Sequence, residues 1–221
     1  TNTPAGNITA TTVQAALNEL DAEKAKLAGD AAQVFSVAPA TAATHAVPLA
    51  QTVGKNAVIN PGFTINQRAY VSAAVLAAGA YGHDRWKAGA GGGDYSFTQL
   101  ESNTTITIAA NKTLIQVIEN KNVYGGTYTL SWTGTSLARY AINSATPAGA
   151  YAASPIVITG QNAGTTMSIE FGNGASAGTL TKIQLEVSPV ATTFEQEAYS
   201  VTLAKCQRYY EKGQVRFDTY A

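Results

Sequence analysis

The stretch TYTLSWT, residues 127–133, decides the fold class of this 221-residue chain. Tyr128, Leu130 and Trp132 alternate with Thr and Ser residues, and a period of two indicates a β-strand with one buried face. The same alternation returns at residues 167–171 and 183–187. These stretches predict strands with an apolar face toward a common core, and Trp132 is predicted to lie in that core.

Further strand candidates lie on both sides of this stretch. They cover residues 85–87, 95–100, 105–108, 114–119, 137–142 and 156–159. Turn-forming residues separate them, for example Gly125-Gly126 and Gly172-Asn173-Gly174. Short strands at a spacing of about 10 residues, without helices between them, predict a mainly β fold, an antiparallel β-sandwich or jelly roll. The predicted sandwich covers residues 57–197, with Trp86 in its core.

Composition excludes several function classes. Charged residues make up 13% of the chain, and 14 basic residues balance 14 acidic ones. A zero net charge gives no field that draws the chain to nucleic acid or to an anionic membrane, so neither partner is expected. One Cys and two His provide neither an internal disulfide nor a zinc cluster. We therefore predict no metal and no cofactor.

The N-terminal part, residues 1–30, contains a predicted helix after a short linker. Thr11 followed by Gln14 has the pattern of a capping box, and Gly29 is a typical residue after a helix end. Apolar residues spaced by four and three give a coiled-coil seam with one polar interruption at Lys24. The seam residues are Val13, Leu17, Leu20 and Leu27. An amphipathic helix packed on its own domain is the alternative, although it usually needs a wider apolar face.

The segments on either side of the sandwich are predicted separately. Residues 31–56 contain few large apolar groups, and Pro39 and Pro48 exclude a long helix, so we expect a fibrous connector. Residues 198–221 contain a short helix that Ser200 could cap, followed by the beginning of a distal segment. Cys206 in that helix is predicted to be a buried structural thiol.

The candidates for catalysis are weak. The glycine-rich stretch 89–94 lacks the Lys-Ser/Thr ending of a phosphate-binding loop and is interpreted as a turn. Asp84 and Asp94 could form the carboxylate pair of a glycoside hydrolase, but their spacing does not favour that role. Two histidines offer little for a Ser-His-Asp triad. We predict no catalytic residue and no enzyme activity, with a polysaccharide depolymerase as the least favoured alternative.

Aromatic residues near loops are the better candidates for a binding role. A flat ring with a few polar neighbours suits a sugar, because the ring is apolar on its face and tyrosine carries a hydroxyl at its tip. An alternative for each tyrosine is that it covers a strand edge. The candidate carbohydrate-binding residues are Tyr81, Asp84, Tyr95, Tyr124, Tyr140 and Tyr151.

Several stretches together carry a family resemblance. They are TTVQAALNELDAEKA at 11–25, NAVINPGFTINQRAY at 56–70, Asp84-Arg85-Trp86, GGTYTLSWTG at 125–134, and residues 180–210. In their order and spacing they resemble the tail fibre proteins of tailed bacteriophages. The central part is also similar to jelly-roll carbohydrate-binding modules, whose first strand opens like Asn60-Pro61-Gly62-Phe63 and whose last resembles Gln184-Leu185-Glu186.

The resemblance implies a homotrimeric fibre with a coiled-coil helix first, then a connector, then a β-sandwich that displays loops to the bacterial surface. Expected partners are the other two copies of the chain, surface polysaccharide or lipopolysaccharide, and other tail or baseplate proteins. The expected location is the virion, with contact to the host during attachment. A spacer or baseplate-attached fibre segment without receptor contact is the alternative. The resemblance also implies a further distal domain after residues 206–210.

Overall fold

The computed structural model describes residues 9–23, 56–100 and 102–213. The chain divides into two compact units, Thr1–Pro48 and Leu49–Ala221. The finer division at residues 30, 56 and 197 stays a prediction.

Helix α1 in the first unit spans Val13–Glu23. Its cap is Thr12, whose Oγ1 accepts the N–H of Ala15 at 3.2 Å. The predicted capping box at Thr11 and Gln14 is therefore wrong by one residue, because the chain enters the helix one position later. Gln14 instead donates to the side chain of Asn18 at 2.9 Å, one turn further on.

The predicted seam lies on the surface of α1. Val13, Leu17 and Leu20 are between 46% and 66% exposed. Leu27 lies outside the described residues. The described helix thus carries an apolar stripe that its own residues do not cover, and an isolated helix of this length is marginal in water.

The second unit has two antiparallel sheets and one helix in its described residues. The strands are β1 (Lys87–Ala88), β2 (Tyr95–Phe97), β3 (Ile106–Ile108), β4 (Leu114–Ile118), β5 (Gly126–Thr133), β6 (Leu137–Ile142), β7 (Ile156–Gln161), β8 (Met167–Gly172) and β9 (Gly178–Val187). Helix α2 spans Tyr199–Gln207, and a 3-10 turn follows β4 at Asn120–Asn122.

The sheets pack face to face around one core. One sheet has the order β1-β4-β8-β6, and the other has the order β2-β3-β9-β5-β7. Trp132 of β5 meets Phe171 of β8 with ring centroids 5.2 Å apart, which joins the two sheets through the core. From β3 to β9 each connection crosses from one sheet to the other, as in a jelly roll. The prediction of an antiparallel β-sandwich is confirmed, as are the core positions of Trp132 and Trp86.

The opening segment is not a strand, which corrects the expectation attached to Asn60-Pro61-Gly62-Phe63. Asn60 and Phe63 have φ values of +58° and +50°, which interrupt extended backbone. The Asn60 side chain closes the turn by accepting the N–H of Thr64 at 2.9 Å and donating to the carbonyl of Ile65 at 2.9 Å. Trp86 Nε1 donates to the Asn60 carbonyl at 2.9 Å, so the turn is anchored to the core.

Two buried polar residues of β9 hold the segment that follows the sandwich. Gln184 Oε1 accepts the N–H of Glu195 at 2.8 Å. Glu186 accepts the N–H and the hydroxyl of Thr192 at 2.8 and 2.7 Å. The Gln-Leu-Glu strand therefore closes the domain by binding its own return segment to the outer face of the five-stranded sheet.

Helix α2 packs on the opening segment. Cys206 is buried against Ile59 and Ile65, and burial raises the pKa of its thiol to about 12, so the prediction of a structural thiol is confirmed. The helix begins at Tyr199, with Ala198 rather than Ser200 at the N-cap, because backbone Ala198 accepts the N–H of Thr202. Neither described helix has the length and apolar character that a membrane span requires.

Candidate functional site

The outer face of the four-stranded sheet carries a set of polar and aromatic side chains. Side chains alternate across a strand, so the neighbours of core residues point outward. Ala88, Leu114, Phe171 and Ala138 lie in the core. The residues paired beside them on the outer face are Lys87, Ile115, Glu170 and Arg139.

One further segment pairs with each edge strand of this sheet, β1 and β6, and so extends the face. Residues 79–82 run along β1, where Ala88 N–H donates to the Ala80 carbonyl at 2.8 Å and Tyr81 pairs with Lys87. Ala152 pairs with Ala138 of β6 through two backbone hydrogen bonds of 2.8 and 2.9 Å. In an antiparallel pair the next residues are also opposite, so Tyr151 lies beside Arg139.

These pairings place six residues in one line across the sheet. We call this line the cross-strand row; in order it consists of Tyr81, Lys87, Ile115, Glu170, Arg139 and Tyr151. Five spacings between neighbouring strands make the row about 24 Å long. It carries a tyrosine at each end and charged groups between them, and both tyrosines are candidates that the sequence predicts.

An ion pair occupies the middle of the row. Arg139 Nε donates to Glu170 Oε2 at 2.5 Å, and the Glu170 side chain is only 4% exposed. The hydrogen bond to this carboxylate raises the pKa of the Arg139 guanidinium. Because a buried carboxylate without its partner would be costly, the pair is fixed in place.

Tyr151 is held against this ion pair. The Arg139 guanidinium carbon lies 4.8 Å from the centre of the Tyr151 ring, within the range of a cation–π contact. Burial raises the pKa of the Tyr151 hydroxyl, and the nearby Glu170 charge raises it further. The ring is therefore oriented before any ligand arrives.

A glycine hairpin borders the row beside Glu170. Gly89 pairs with Gly92 in a tight turn. A Cβ atom at Gly89 would lie 1.9 Å from Thr113 Oγ1 and 2.9 Å from Glu170 Oε1, so a larger residue would displace both side chains. The glycine-rich stretch is thus a close-packed turn, as the sequence predicts.

The Tyr81 end of the row contacts the segment that follows α2. The Arg68 guanidinium carbon lies 5.1 Å from the Tyr81 ring centre and 3.7 Å from that of Tyr210. Arg68 Nε is buried without a hydrogen-bond partner among the described residues. The side chain of Arg68 therefore joins the row to the C-terminal segment.

The other predicted sugar-binding residues lie elsewhere. Asp84 and Tyr95 are buried in the interior, where Asp84 accepts Gln67 Nε2 at 2.6 Å. Tyr140 packs against the core. Tyr124 is 75% exposed, but it precedes β5 of the opposite sheet. The structure therefore brings Tyr81 and Tyr151 into one line and leaves the other four outside it.

The carboxylates weighed for catalysis both have structural contacts. Burial raises the pKa of Asp84, which lies beneath the chain surface. Asp94 accepts the N–H of Leu76 at 2.7 Å and lies 3.5 Å from Lys112 Nζ. Neither carboxylate is placed in the cross-strand row.

One short motif escaped the sequence analysis. Gly174-Ala175-Ser176-Ala177-Gly178 matches the Gly-x-Ser-x-Gly pattern of hydrolase nucleophiles. That pattern requires a turn between a strand and a helix. Here it forms the hairpin between strands β8 and β9, with Ser176 N–H donating to the Asn173 carbonyl at 3.2 Å, so the match is a β-turn.

A pocket of about 90 Å³ lies between the opening segment and the segment before α2. Its lining consists of Asn56, Val58, Pro61, Glu195, Glu197 and Lys205. Pockets that enclose small ligands usually hold about 300–1,000 Å³, so this one is small for a sugar. The cross-strand row, in which Tyr81 is exposed and Lys87, Arg139 and Tyr151 are half-buried, is the better candidate.

Comparison with known proteins gives distant likenesses. No family model matches the sequence, and no curated protein matches it. The module TmCBM61, solved in complex with β-1,4-galactotriose, is 11% identical, with a TM-score of 0.35; the likeness covers 61% of this chain and 100% of that one. The xylan-binding domain CBM22-1 from Paenibacillus barcinonensis Xyn10C is 11% identical, with a TM-score of 0.30, covering 56% and 100%. At these TM-scores neither likeness carries an argument about the ligand.

Proposed function

We propose that the sandwich binds polysaccharide of the bacterial surface along the cross-strand row, as part of a homotrimeric phage tail fibre. The observation that carries the binding role is the placement of Tyr81 and Tyr151 at the two ends of one line. A long saccharide can lie along such a line, with its ring faces on the tyrosines and its hydroxyls on Lys87 and Arg139 between them.

The polar groups in the row suit this role. Arg139 has a side chain that is 30% exposed and is held by the buried carboxylate of Glu170, so it can donate to sugar hydroxyls without moving. Preorganised polar groups lose little conformational entropy on binding, which favours affinity.

Each end of the row should contribute separately. Replacing Tyr81 or Tyr151 with Ala should lower the affinity about tenfold, because a lost aromatic contact costs about 1.4 kcal/mol. The test is a glycan array of bacterial surface polysaccharides, followed by calorimetry with the best binder. The ligand need not be known beforehand.

Tyr124→Ala is the matched control, since Tyr124 is exposed but lies outside the row. Its affinity should equal that of the unchanged protein. Equal losses in all three variants would contradict the site. Absence of binding to any glycan would leave the chain as a spacer segment of the fibre.

The fibre context rests on the sequence resemblance and on helix α1. The apolar stripe of Val13, Leu17 and Leu20 is exposed in the single chain, and three copies around one axis would bury it. Few charged residues, 13% of the chain, suit an extended and closely associated assembly. The location follows from this proposal: the virion, with host contact during attachment.

Replacing Leu20 with Asp should convert the trimer into monomers, because three buried carboxylates would meet at one level of the seam. Light scattering should give about three times 22.9 kDa for the unchanged chain and one times that mass for the variant. Ala15→Asp places the same charge on an exposed position off the stripe and should remain trimeric. A trimeric Leu20→Asp variant would show that the seam is wrong or that another region carries assembly.

A further inference from the structure

The charges of the cross-strand row are unevenly distributed. In its middle, Glu170 is almost wholly buried and bound by Arg139, so the two charges neutralise each other. At the Tyr81 end, Lys87 and Arg68 are both cationic. Among the described residues the ammonium of Lys87 has neither a hydrogen bond nor an ion pair.

Both cations lie beside Tyr81. Lys87 is the direct cross-strand partner of Tyr81, so the two side chains stand beside each other on the outer face. Arg68 lies over the same ring and keeps a buried Nε without a partner among the described residues. Asp84, which accepts Gln67 Nε2, also interacts electrostatically with Arg68, so Lys87 is the cation at this end that lacks a charged partner among the described residues.

We infer that the ligand is an acidic saccharide whose anionic group binds Lys87 while its ring lies on Tyr81. This inference rests on the proposed function of the row and adds the chemical class of its ligand. A carboxylate or a phosphate ester would supply the anion, and both form charge-assisted hydrogen bonds with an ammonium. A neutral glycan would form no ion pair with the Lys87 ammonium.

The experiment uses the full chain and the acidic and neutral polysaccharides of a bacterial glycan array. The strongest acidic binder is then measured by calorimetry in three forms: native, carboxyl-reduced and dephosphorylated. We expect one of the two treatments to lower the affinity at least tenfold, and the treatment that does so identifies the anion. The affinity of the native glycan should also fall as salt is raised.

The variants assign the effect to one side chain. Lys87→Met keeps the aliphatic stem and should lower affinity for the acidic glycan at least tenfold, whereas Lys87→Arg should keep most of it. Lys121→Met removes an exposed lysine in the turn after β4 and should change nothing. The Lys87→Met variant should also lose most of the salt dependence.

The outcomes separate the two proposals. Binding of neutral glycans alone, with loss in Tyr81→Ala but not in Lys87→Met, would overturn the acidic ligand and leave the polysaccharide site standing. Unchanged affinity of Lys87→Met for an acidic glycan would also overturn it. Absence of binding to any glycan would overturn both proposals.

Discussion

Replacing Asn60 with Ala should lower the free energy of unfolding of the sandwich by about 4 kcal/mol. Its side chain accepts the N–H groups of Thr64 and Ile65 at 2.9 and 3.1 Å. It donates to the carbonyls of Ile65 and Asp84 at 2.9 and 3.0 Å. Asn60 is fully buried, so the backbone groups that lose this partner have little water to replace it.

The backbone of Asn60 adds a second cost. Its φ of +58° is tolerated by Asn but strained for Ala by about 1 kcal/mol. Asn60→Gly removes the side chain without the strain, so the difference between the two variants measures the backbone contribution. Asn60→Asp keeps the acceptor, and a neutral carboxyl also keeps one O–H donor, so the variant should fall between Asn60→Ala and the unchanged chain when its carboxyl is protonated.

Urea unfolding followed by tryptophan fluorescence measures this effect, because both tryptophans lie in the core. Asn111→Ala is the matched control, since Asn111 is exposed and has a φ of +61°. It should cost about 1 kcal/mol through backbone strain alone. If Asn60→Ala costs no more than this control, the buried hydrogen bonds contribute little.

The sequence predicts those strands of the sandwich whose alternating pattern lies within the strand itself. At residues 127–133 the alternation of apolar and small polar residues follows from the geometry of one strand, and the structure places β5 at Gly126–Thr133. In β9 the alternation is less reliable. A register shift opposite Ser131 and Thr133, with Lys182 at φ +51°, changes the phase of the strand.

The site depends on pairings that local patterns do not contain. Arg139 and Glu170 are 31 residues apart and meet because β6 lies beside β8. The sequence shows one charged residue in each of these two strand candidates, which is the signal for an ion pair. It does not show that the two strands are neighbours in the sheet. The sequence predicts Tyr81 and Tyr151 because they are aromatic residues in or next to loops. Their placement in one row depends on the order of all the strands in the sheet.

The sequence also does not reveal which polar residues are buried. Asp84 and Tyr95 are of the residue types expected at a sugar site, yet both are buried in the interior of the sandwich. Tyr95 begins β2 on its core side, where its hydroxyl meets His83. Whether such a residue faces water depends on which segment covers it, and here the rings of Phe63 and Tyr70 lie against Tyr95.

Acidification should destabilise the sandwich through His83. Its ring is buried between Tyr95 Oη, 2.7 Å from Nδ1, and Gln99 Oε1, 2.9 Å from Nε2. Gln99 Oε1 can only accept a hydrogen bond, so Nε2 carries the ring proton of the neutral imidazole and donates to it. Nδ1 then accepts the hydroxyl proton of Tyr95, whose oxygen also accepts the backbone N–H of His83 at 2.7 Å. A second ring proton would face the tyrosine hydroxyl and break this arrangement.

Burial lowers the pKa of His83 from its ordinary value of 6.5 to about 4. The unfolded chain therefore binds more protons than the folded chain between these values, and stability is lost as the pH falls through this window. The full loss is about 3 kcal/mol, complete below pH 4. Above pH 6.5 the contribution of His83 is fully present.

Other groups titrate near the lower end of this window, so the unchanged chain should be compared with His83→Gln. Burial raises the pKa of Asp84, and its contribution to stability runs in the opposite direction. His83→Gln should be less stable at pH 7 and should show a shallower decline from pH 6.5 to 4.

A direct titration by NMR does not depend on that variant. The chain has two histidines, so His45→Gln leaves the imidazole of His83 as the remaining signal. That signal should stay in the neutral form down to a pH of about 4, because protonation would bury a charge among the rings of Phe63 and Phe97, whose centres lie 5.7 and 4.5 Å away. A midpoint near 6.5 would mean that water reaches the ring. His83 would then have the same pKa in the folded and the unfolded chain, and it would contribute nothing to the loss of stability on acidification.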